Sequence, residues 1–224
     1  MPIFNTVYWW WGWWWGWGWQ PWENTIWYWK LEENTNATVW TTTSSNNVTF
    51  TTLASWKKVA VFNGSNSIIA CSALPTLTNN TYSVRCQKTW TWSWEKIIAT
   101  LAWWSGKKGT SLRTNTNPWT YMNSKFTAWV SIPWANANNT WYNIVVVQNS
   151  NWSTVYLNWT VVATDSQTWA NSNDLSSIWC NSGNMPTWAD FFNWYISEVI
   201  VENKARTAQE VADYYNLTKS NYWL

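Results

Sequence analysis

Short apolar runs alternate with segments rich in Asn, Thr and Ser from residue 26 onward. In one run Tyr82, Val84 and Cys86 alternate with polar residues, the period of two that is typical of a strand with one buried face. Many short strands joined by regular turn signals predict an all-β sandwich. The predicted strands are 26–31, 58–62, 67–71, 82–87, 96–101, 125–132, 141–148, 154–157, 160–163 and 195–202.

One segment near the C-terminus has helical periodicity instead. Thr207 and Glu210 have the spacing of a capping box, in which each side chain bonds the backbone N–H of the other residue. Apolar residues between Ala208 and Tyr215 follow at helical spacing. We expect a short helix that ends near Asn216 and covers one edge or end of the sandwich.

The first 25 residues differ from the rest of the chain. Residues 1–7 are fairly apolar, and residues 9–19 consist only of Trp and Gly. We expect no secretory signal, because no basic segment precedes an apolar run. We also expect no membrane insertion, because residues 9–19 are about half the length of a membrane span. The chain is predicted to comprise a leader, residues 1–25, and one domain, residues 26–222.

Tryptophan is in large excess, and it occupies positions where turns favour glycine. The chain has 29 Trp and 7 Gly, although about 16 Gly would be usual at this length. Asn158-Trp159 joins two apolar runs where a type I′ hairpin needs positive φ at both central residues, and Asn-Gly is the usual pair. The usual pair Asn-Gly occurs at Asn63-Gly64, whereas Asn193-Trp194 again has Trp in the place of Gly.

We therefore interpret most of the tryptophans as glycines translated with the wrong genetic code. UGA encodes Trp in some lineages and Gly in others. A gene from a lineage that reads UGA as Gly would give this pattern if it were translated with the code that reads UGA as Trp. Residues 9–19 would then be a flexible polyglycine linker. The alternative is a truly Trp-rich protein, such as an interfacial binder. The tryptophans do not follow one face of any period, which favours the first interpretation.

Composition excludes several classes of function. The net charge is +2, so the chain has no electrostatic footprint for nucleic acid. It contains no histidine, which excludes Ser-His-Asp and Cys-His catalysis and histidine-ligated zinc.

Four stretches, in order, resemble the laminin-G-like jelly-roll domains of the concanavalin A-like lectin/glucanase superfamily. The stretches are 26–33, 59–66, 140–159 and 192–207. The resemblance implies an all-β, two-sheet antiparallel jelly-roll sandwich with one short C-terminal helix. It agrees at Trp29 and Trp141, where the family carries Trp, and departs at Trp159 and Trp194, where the family carries Gly. The structural core that we predict contains Trp29, Phe62, Trp141, Tyr156, Ile196 and Val199.

Glucanases of this superfamily use paired carboxylates on one strand, and the best-placed acids here do not fit that geometry. Glu198 and Glu202 lie four residues apart on a predicted strand, so both face the same side. They would be roughly 13 Å apart, wider than either glycosidase arrangement. Glu198 resembles a structural acid of the family's last strand. We expect a non-enzyme and predict no catalytic residue.

Lectin-like relatives often hold calcium with loop oxygens, so a calcium site is the one cofactor to consider. The loop candidates are Asn63, Asp165, Asp174 and Asp190. The alternative, which we prefer, is that these residues form turns and that the protein has no cofactor.

These observations favour a non-enzymatic recognition or adhesion module, extracellular or on a cell surface, that binds a glycan or a surface protein. The sequence does not indicate the binding residues. The alternative is a structural virion or tail decoration protein of a phage, attached to the particle through residues 1–7.

Overall fold

The computed structural model describes residues 24–38, 42–71, 77–88, 95–100, 110–114, 119–123, 129–132, 139–165, 176–178 and 192–222. The predicted leader, up to residue 23, lies outside these ranges. Among the described residues there is no helix with the length and hydrophobicity to span a bilayer.

Fifteen strands and two helices lie within the described residues. They are β1 Thr25–Trp29, β2 Thr42–Asn46, β3 Thr49–Thr52, β4 Lys58–Asn63, β5 Ile68–Cys71, β6 Asn80–Lys88, β7 Glu95–Thr100, β8 Thr110–Thr114, β9 Trp119–Asn123, β10 Trp129–Ile132, β11 Thr140–Gln148, β12 Ser153–Leu157, β13 Thr160–Asp165, β14 Ser176–Ile178, β15 Asn193–Glu202, α1 Ala208–Thr218 and the 3-10 helix Lys219–Tyr222.

The strands form two antiparallel sheets, which confirms the predicted all-β sandwich with one short C-terminal helix. Sheet A has the order β13-β12-β11-β6-β15-β4-β3, and β1 pairs with the part of β15 that β4 leaves open. Sheet B has the order β10-β9-β8-β7-β14-β5-β2. Consecutive strands pair in β11–β13 and in β7–β10, whereas β6 pairs with β15 and β14 lies between β5 and β7, far from them in sequence.

The main core lies between the two sheets. It contains Trp29, Phe62, Ile196 and Val199 of sheet A, four of the predicted core residues, together with Ile69 of β5 in sheet B. Trp29 and Ile196 have no exposed surface. Alternation of apolar and polar residues along β6 and β15 turns one set of side chains into this core.

A second apolar layer lies on the outer face of sheet A, beneath α1 and the 3-10 helix. Val145 and Tyr156 of the sheet form one buried cluster with Val211 of α1. Trp141 packs on Tyr222 of the 3-10 helix, with ring centroids 5.1 Å apart. The predicted core residues Tyr156 and Trp141 therefore belong to this outer layer. The expectation that the helix covers an edge or an end was wrong, because it covers a face of the sheet.

The start of α1 is as predicted. The Thr207 hydroxyl accepts a hydrogen bond from the Glu210 N–H at 3.2 Å, and the Thr207 N–H donates to the Glu210 carboxylate at 2.8 Å. These bonds satisfy two backbone donors that a helix start otherwise leaves open. The helix continues past Asn216 to Thr218.

The glycine at position 64 has a different role from the one predicted. Gly64 has φ 69°, and a Cβ added to it would lie 2.8 Å from the Cβ of Asn193. Glycine is thus required both by the backbone conformation and by the close approach. However, β4 and β5 belong to different sheets. Asn63-Gly64 therefore lies in a connection between the sheets, and the predicted hairpin there was wrong.

The predicted hairpin between β12 and β13 is present, but only one of its two turn residues has a left-handed backbone conformation. Leu157 pairs with Thr160, which leaves Asn158 and Trp159 as the two-residue loop. Asn158 has φ 62°, whereas Trp159 is not among the described residues with positive φ. The expectation of positive φ at Trp159 was wrong, so the backbone itself does not require glycine there.

Candidate functional site

The two acids considered for catalysis lie beneath the C-terminal helix. Glu198 and Glu202 share the outer face of β15, as their spacing predicted, where they pair in register with Arg85 and Thr81 of β6. Only 7% of Glu198 and 1% of Glu202 is exposed. A carboxylate that acts on a glycosidic bond must reach the sugar. These two are covered by protein, so their positions indicate a structural role.

Glu202 forms a buried ion pair that joins β15 to the segment before α1. The Arg206 Nε donates a hydrogen bond to the Glu202 Oε2 at 2.5 Å, and both side chains are 1% exposed. Burial raises the pKa of Glu202 and lowers the pKa of Arg206, and the pair itself opposes both shifts. The Arg206 guanidinium also lies over the Tyr214 ring, 4.9 Å from its centroid. This pair anchors the chain where it leaves the sheet for the helix.

Arg85 makes a second connection between sheet A and the helices. Its Nη2 donates to the Thr218 hydroxyl at 2.5 Å, and its guanidinium lies 4.5 Å from the Tyr222 ring centroid. Burial raises the pKa of Glu198, and the nearby Arg85 offsets part of that shift. The pKa of Tyr222 is raised to about 12, mainly by burial. Sequence reasoning missed Arg85, because the alternation along β6 predicted a strand with one buried face, which would leave Arg85 in solvent.

Two of the calcium candidates, Asn63 and Asp165, lie at the ends of β4 and β13, which are not neighbours in sheet A. The Asn63 side-chain oxygen accepts hydrogen bonds from the backbone N–H groups of Ser65, Asn66 and Ser67 at 2.9–3.1 Å. That oxygen shapes a turn. Asp165 is the last residue of β13, and no group of three or more His, Cys, Asp or Glu side chains that could hold a metal ion occurs within the described residues.

The remaining two calcium candidates, Asp174 and Asp190, lie outside the described residues.

An exposed aromatic surface lies where the β12–β13 hairpin meets α1. Trp159 is 50% exposed, and its ring lies over Tyr215 with centroids 4.6 Å apart. Lys219 holds its ammonium 5.7 Å from the Tyr215 centroid and donates to the Asn216 side-chain oxygen at 2.9 Å. We call these four residues the Tyr215 surface. Sequence reasoning missed it, because it joins two elements 56 positions apart in the chain.

The tryptophans whose side chains the structure describes fall into two groups. Trp29 is fully buried and Trp141 is 7% exposed, whereas Trp152 is 40%, Trp159 50% and Trp56 88% exposed. The first group sits in the two apolar layers, and the second sits in the turns between strands. The groups agree with the sorting by family resemblance at Trp29, Trp141 and Trp159. The expectation of a turn at Asn193-Trp194 was wrong, because both residues lie in β15 and pair with β4.

Trp56 combines exposure with a left-handed backbone. Its φ is 65°, and its N–H donates to the Leu53 carbonyl at 2.9 Å. The Leu53 N–H in turn donates to the Lys57 carbonyl at 2.8 Å, which closes the loop between β3 and β4. A turn followed by one left-handed residue is a common hairpin connection, and that residue is usually glycine.

Comparison with known proteins gives similarity of fold alone. No protein-family model and no curated protein sequence matches the chain. Domain 4 of AbnA, a GH43 extracellular arabinanase from Geobacillus stearothermophilus solved with arabinotriose, is similar with a TM-score of 0.69 at 12% identity. The similarity covers 85% of this chain and 97% of that domain.

Toxin binding domains have the same fold over part of their length. The botulinum neurotoxin serotype D ligand binding domain in complex with N-acetylneuraminic acid gives a TM-score of 0.63 at 12% identity. The binding domain of Paraclostridial Mosquitocidal Protein 1 gives 0.65 at 14% identity. These matches cover 86% and 87% of this chain and about half of each toxin domain.

Proposed function

We propose that this protein is a non-enzymatic, extracellular module that binds a glycan. The observation that carries the proposal is the β-sandwich fold, shared over nearly the whole of a domain that was solved with arabinotriose. The burial of Glu198 and Glu202 beneath α1 supports the absence of catalysis, because these acids cannot flank a sugar.

Within that fold, our proposal is that the chain is a laminin-G-like domain of the concanavalin A-like superfamily, bounded by residues 26–222. Three of the four resembling stretches begin in β1, β4 and β11, and the fourth contains the whole of β15 and ends before α1. The pairing of β1 with β15 supports the proposed start of the domain.

The proposed glycines include positions 56, 152 and 159. Three observations support this: these side chains are exposed, they stand in turns, and Trp56 has the backbone conformation that glycine favours. A buried Trp29, in contrast, fills a core site that glycine would leave empty.

Trp56→Gly is expected to raise the free energy of unfolding by about 1–2 kcal/mol, because a side chain at left-handed φ costs about that amount. Denaturant unfolding of the printed sequence measures it. Trp56→Ala is the matched control, since it removes the ring but keeps the Cβ, and it should give no such gain. Equal gains for the two variants would show that the exposed ring, and not the backbone, limits stability.

Expression of the native gene in a host that reads UGA as glycine gives the protein for the functional test; we call it the glycine-decoded chain. On an array of arabino-oligosaccharides, β-glucans and sialylated oligosaccharides, with and without Ca²⁺, it should retain at least one glycan. It should release no reducing ends from arabinan or β-glucan. Hydrolysis that is lost in Glu198→Gln or Glu202→Gln would contradict the non-enzyme proposal.

Failure to retain any glycan would contradict the binding proposal. If the full chain then assembled onto virus-like particles only when residues 1–7 were present, the phage decoration role would replace it.

A further inference from the structure

Tyr215 is the only ring of α1 that the β12–β13 hairpin covers among the described contacts. Its side chain is on the outer side of sheet A, and it is 3% exposed. The half-exposed Trp159 ring lies over it, tilted by 44° at 4.6 Å between centroids. Part of the cover over Tyr215 thus comes from a side chain that stands in a turn and is itself half exposed.

Glycine at position 159 would remove that cover. The hairpin backbone would stay in place, because Asn158 is fixed on both sides: its N–H donates to the Asn143 carbonyl at 2.7 Å, and its side-chain oxygen accepts from the Asn143 N–H at 3.1 Å. The result would be an aromatic face at the protein surface, next to a rigid turn.

Polar groups lie near the same ring. The Lys219 ammonium lies over the Tyr215 ring, 5.7 Å from its centroid, and donates a hydrogen bond to the side-chain oxygen of the exposed Asn216 at 2.9 Å. The apolar C–H face of a pyranose or furanose ring packs on an aromatic ring, while its hydroxyl groups need hydrogen-bond partners at the edge. An aromatic ring with an amide and an ammonium nearby can meet both needs.

We infer that the face of Tyr215 beneath residue 159 is the surface on which a sugar ring stacks, with Asn216 and Lys219 bonding its hydroxyl groups. The inference rests on the proposed glycan binding and on glycine at position 159. In the printed sequence the Trp159 ring occupies the place of the sugar.

The glycan array described above, followed by titration of the retained glycan, tests the inference in the glycine-decoded chain. Tyr215→Ala should weaken binding at least about tenfold, the loss of roughly 1.4 kcal/mol. Tyr215→Phe keeps the ring and should bind within about threefold of the parent chain. Leu217→Ala is the matched control, since Leu217 is exposed on the same helix, and it should leave binding unchanged.

A second arm leaves Tyr215 intact. The glycine-decoded chain that keeps Trp159 alone should bind at least about tenfold more weakly, because the indole blocks the stacking face. This variant tests the stacking of a sugar on Tyr215 even if Tyr215→Ala unfolds.

If neither Tyr215→Ala nor the retained Trp159 weakened glycan binding, the inference would be overturned, although glycan binding itself would be established. Retention of no glycan by the glycine-decoded chain would overturn both. Tighter binding when Trp159 is kept would also overturn the inference, since Trp159 itself would then be the platform.

Discussion

Trp29→Gly is expected to lower the free energy of unfolding by about 3–5 kcal/mol, the cost of emptying a large core site. Trp29 has no exposed surface, and it lies in β1 where that strand pairs with β15 at the centre of sheet A. Trp29 belongs to the buried cluster that also contains Phe62 and Ile69, so its removal would leave a large cavity there. Denaturant unfolding, analysed with a constant m-value, measures the effect.

Trp152→Gly is the control for this change, because Trp152 stands in the loop between β11 and β12 and is 40% exposed. We expect it to alter stability by no more than about 0.5 kcal/mol, as for an ordinary surface position. If both variants lost the same stability, the division of the tryptophans into core and turn residues would be wrong.

Arg206→Met is expected to cost about 3–5 kcal/mol, because it leaves the buried Glu202 carboxylate without its partner. The two groups are joined at 2.5 Å and both are almost fully covered. Breaking one side of such a pair is more harmful than replacing both sides, so the double variant Glu202→Leu with Arg206→Met should recover part of the loss. Thermal or denaturant unfolding of the three proteins measures the difference.

The chain offers an exposed pair as the matched control. Lys204 and Glu210 also form an ion pair, but their side chains are 44% and 35% exposed. Lys204→Met should therefore cost no more than about 1 kcal/mol. A loss in Arg206→Met as small as that in Lys204→Met would show that the buried pair does not hold the helix segment to the sheet.

The sandwich was predictable because its longer strands carry the apolar pattern. Runs such as β11 and β15 need no tertiary context to be recognised. The strands that were missed, including β2 with TTSSN and β14 with SSI, have no such pattern. They are strands because neighbouring strands pair with them, and that pairing overrides the weak local preference.

The position of the helix could have been found from one signal in the sequence. The run from Ile144 to Val147 is apolar at every position, and the structure buries both faces of β11. A strand that is covered on one face only would alternate. The Tyr215 surface had no comparable signal, because the contact of Trp159 with Tyr215 depends on where the helix crosses the sheet.

Peptide mass spectrometry of the protein isolated from its own organism tests the central claim most directly. The account predicts glycine at positions 56, 152 and 159 and tryptophan at positions 29 and 141, in one and the same protein. The first three codons should be UGA and the last two UGG. Tryptophan at positions 56 and 159 of the native protein would contradict the account, and the Trp159 ring would then lie over Tyr215 as in the structure.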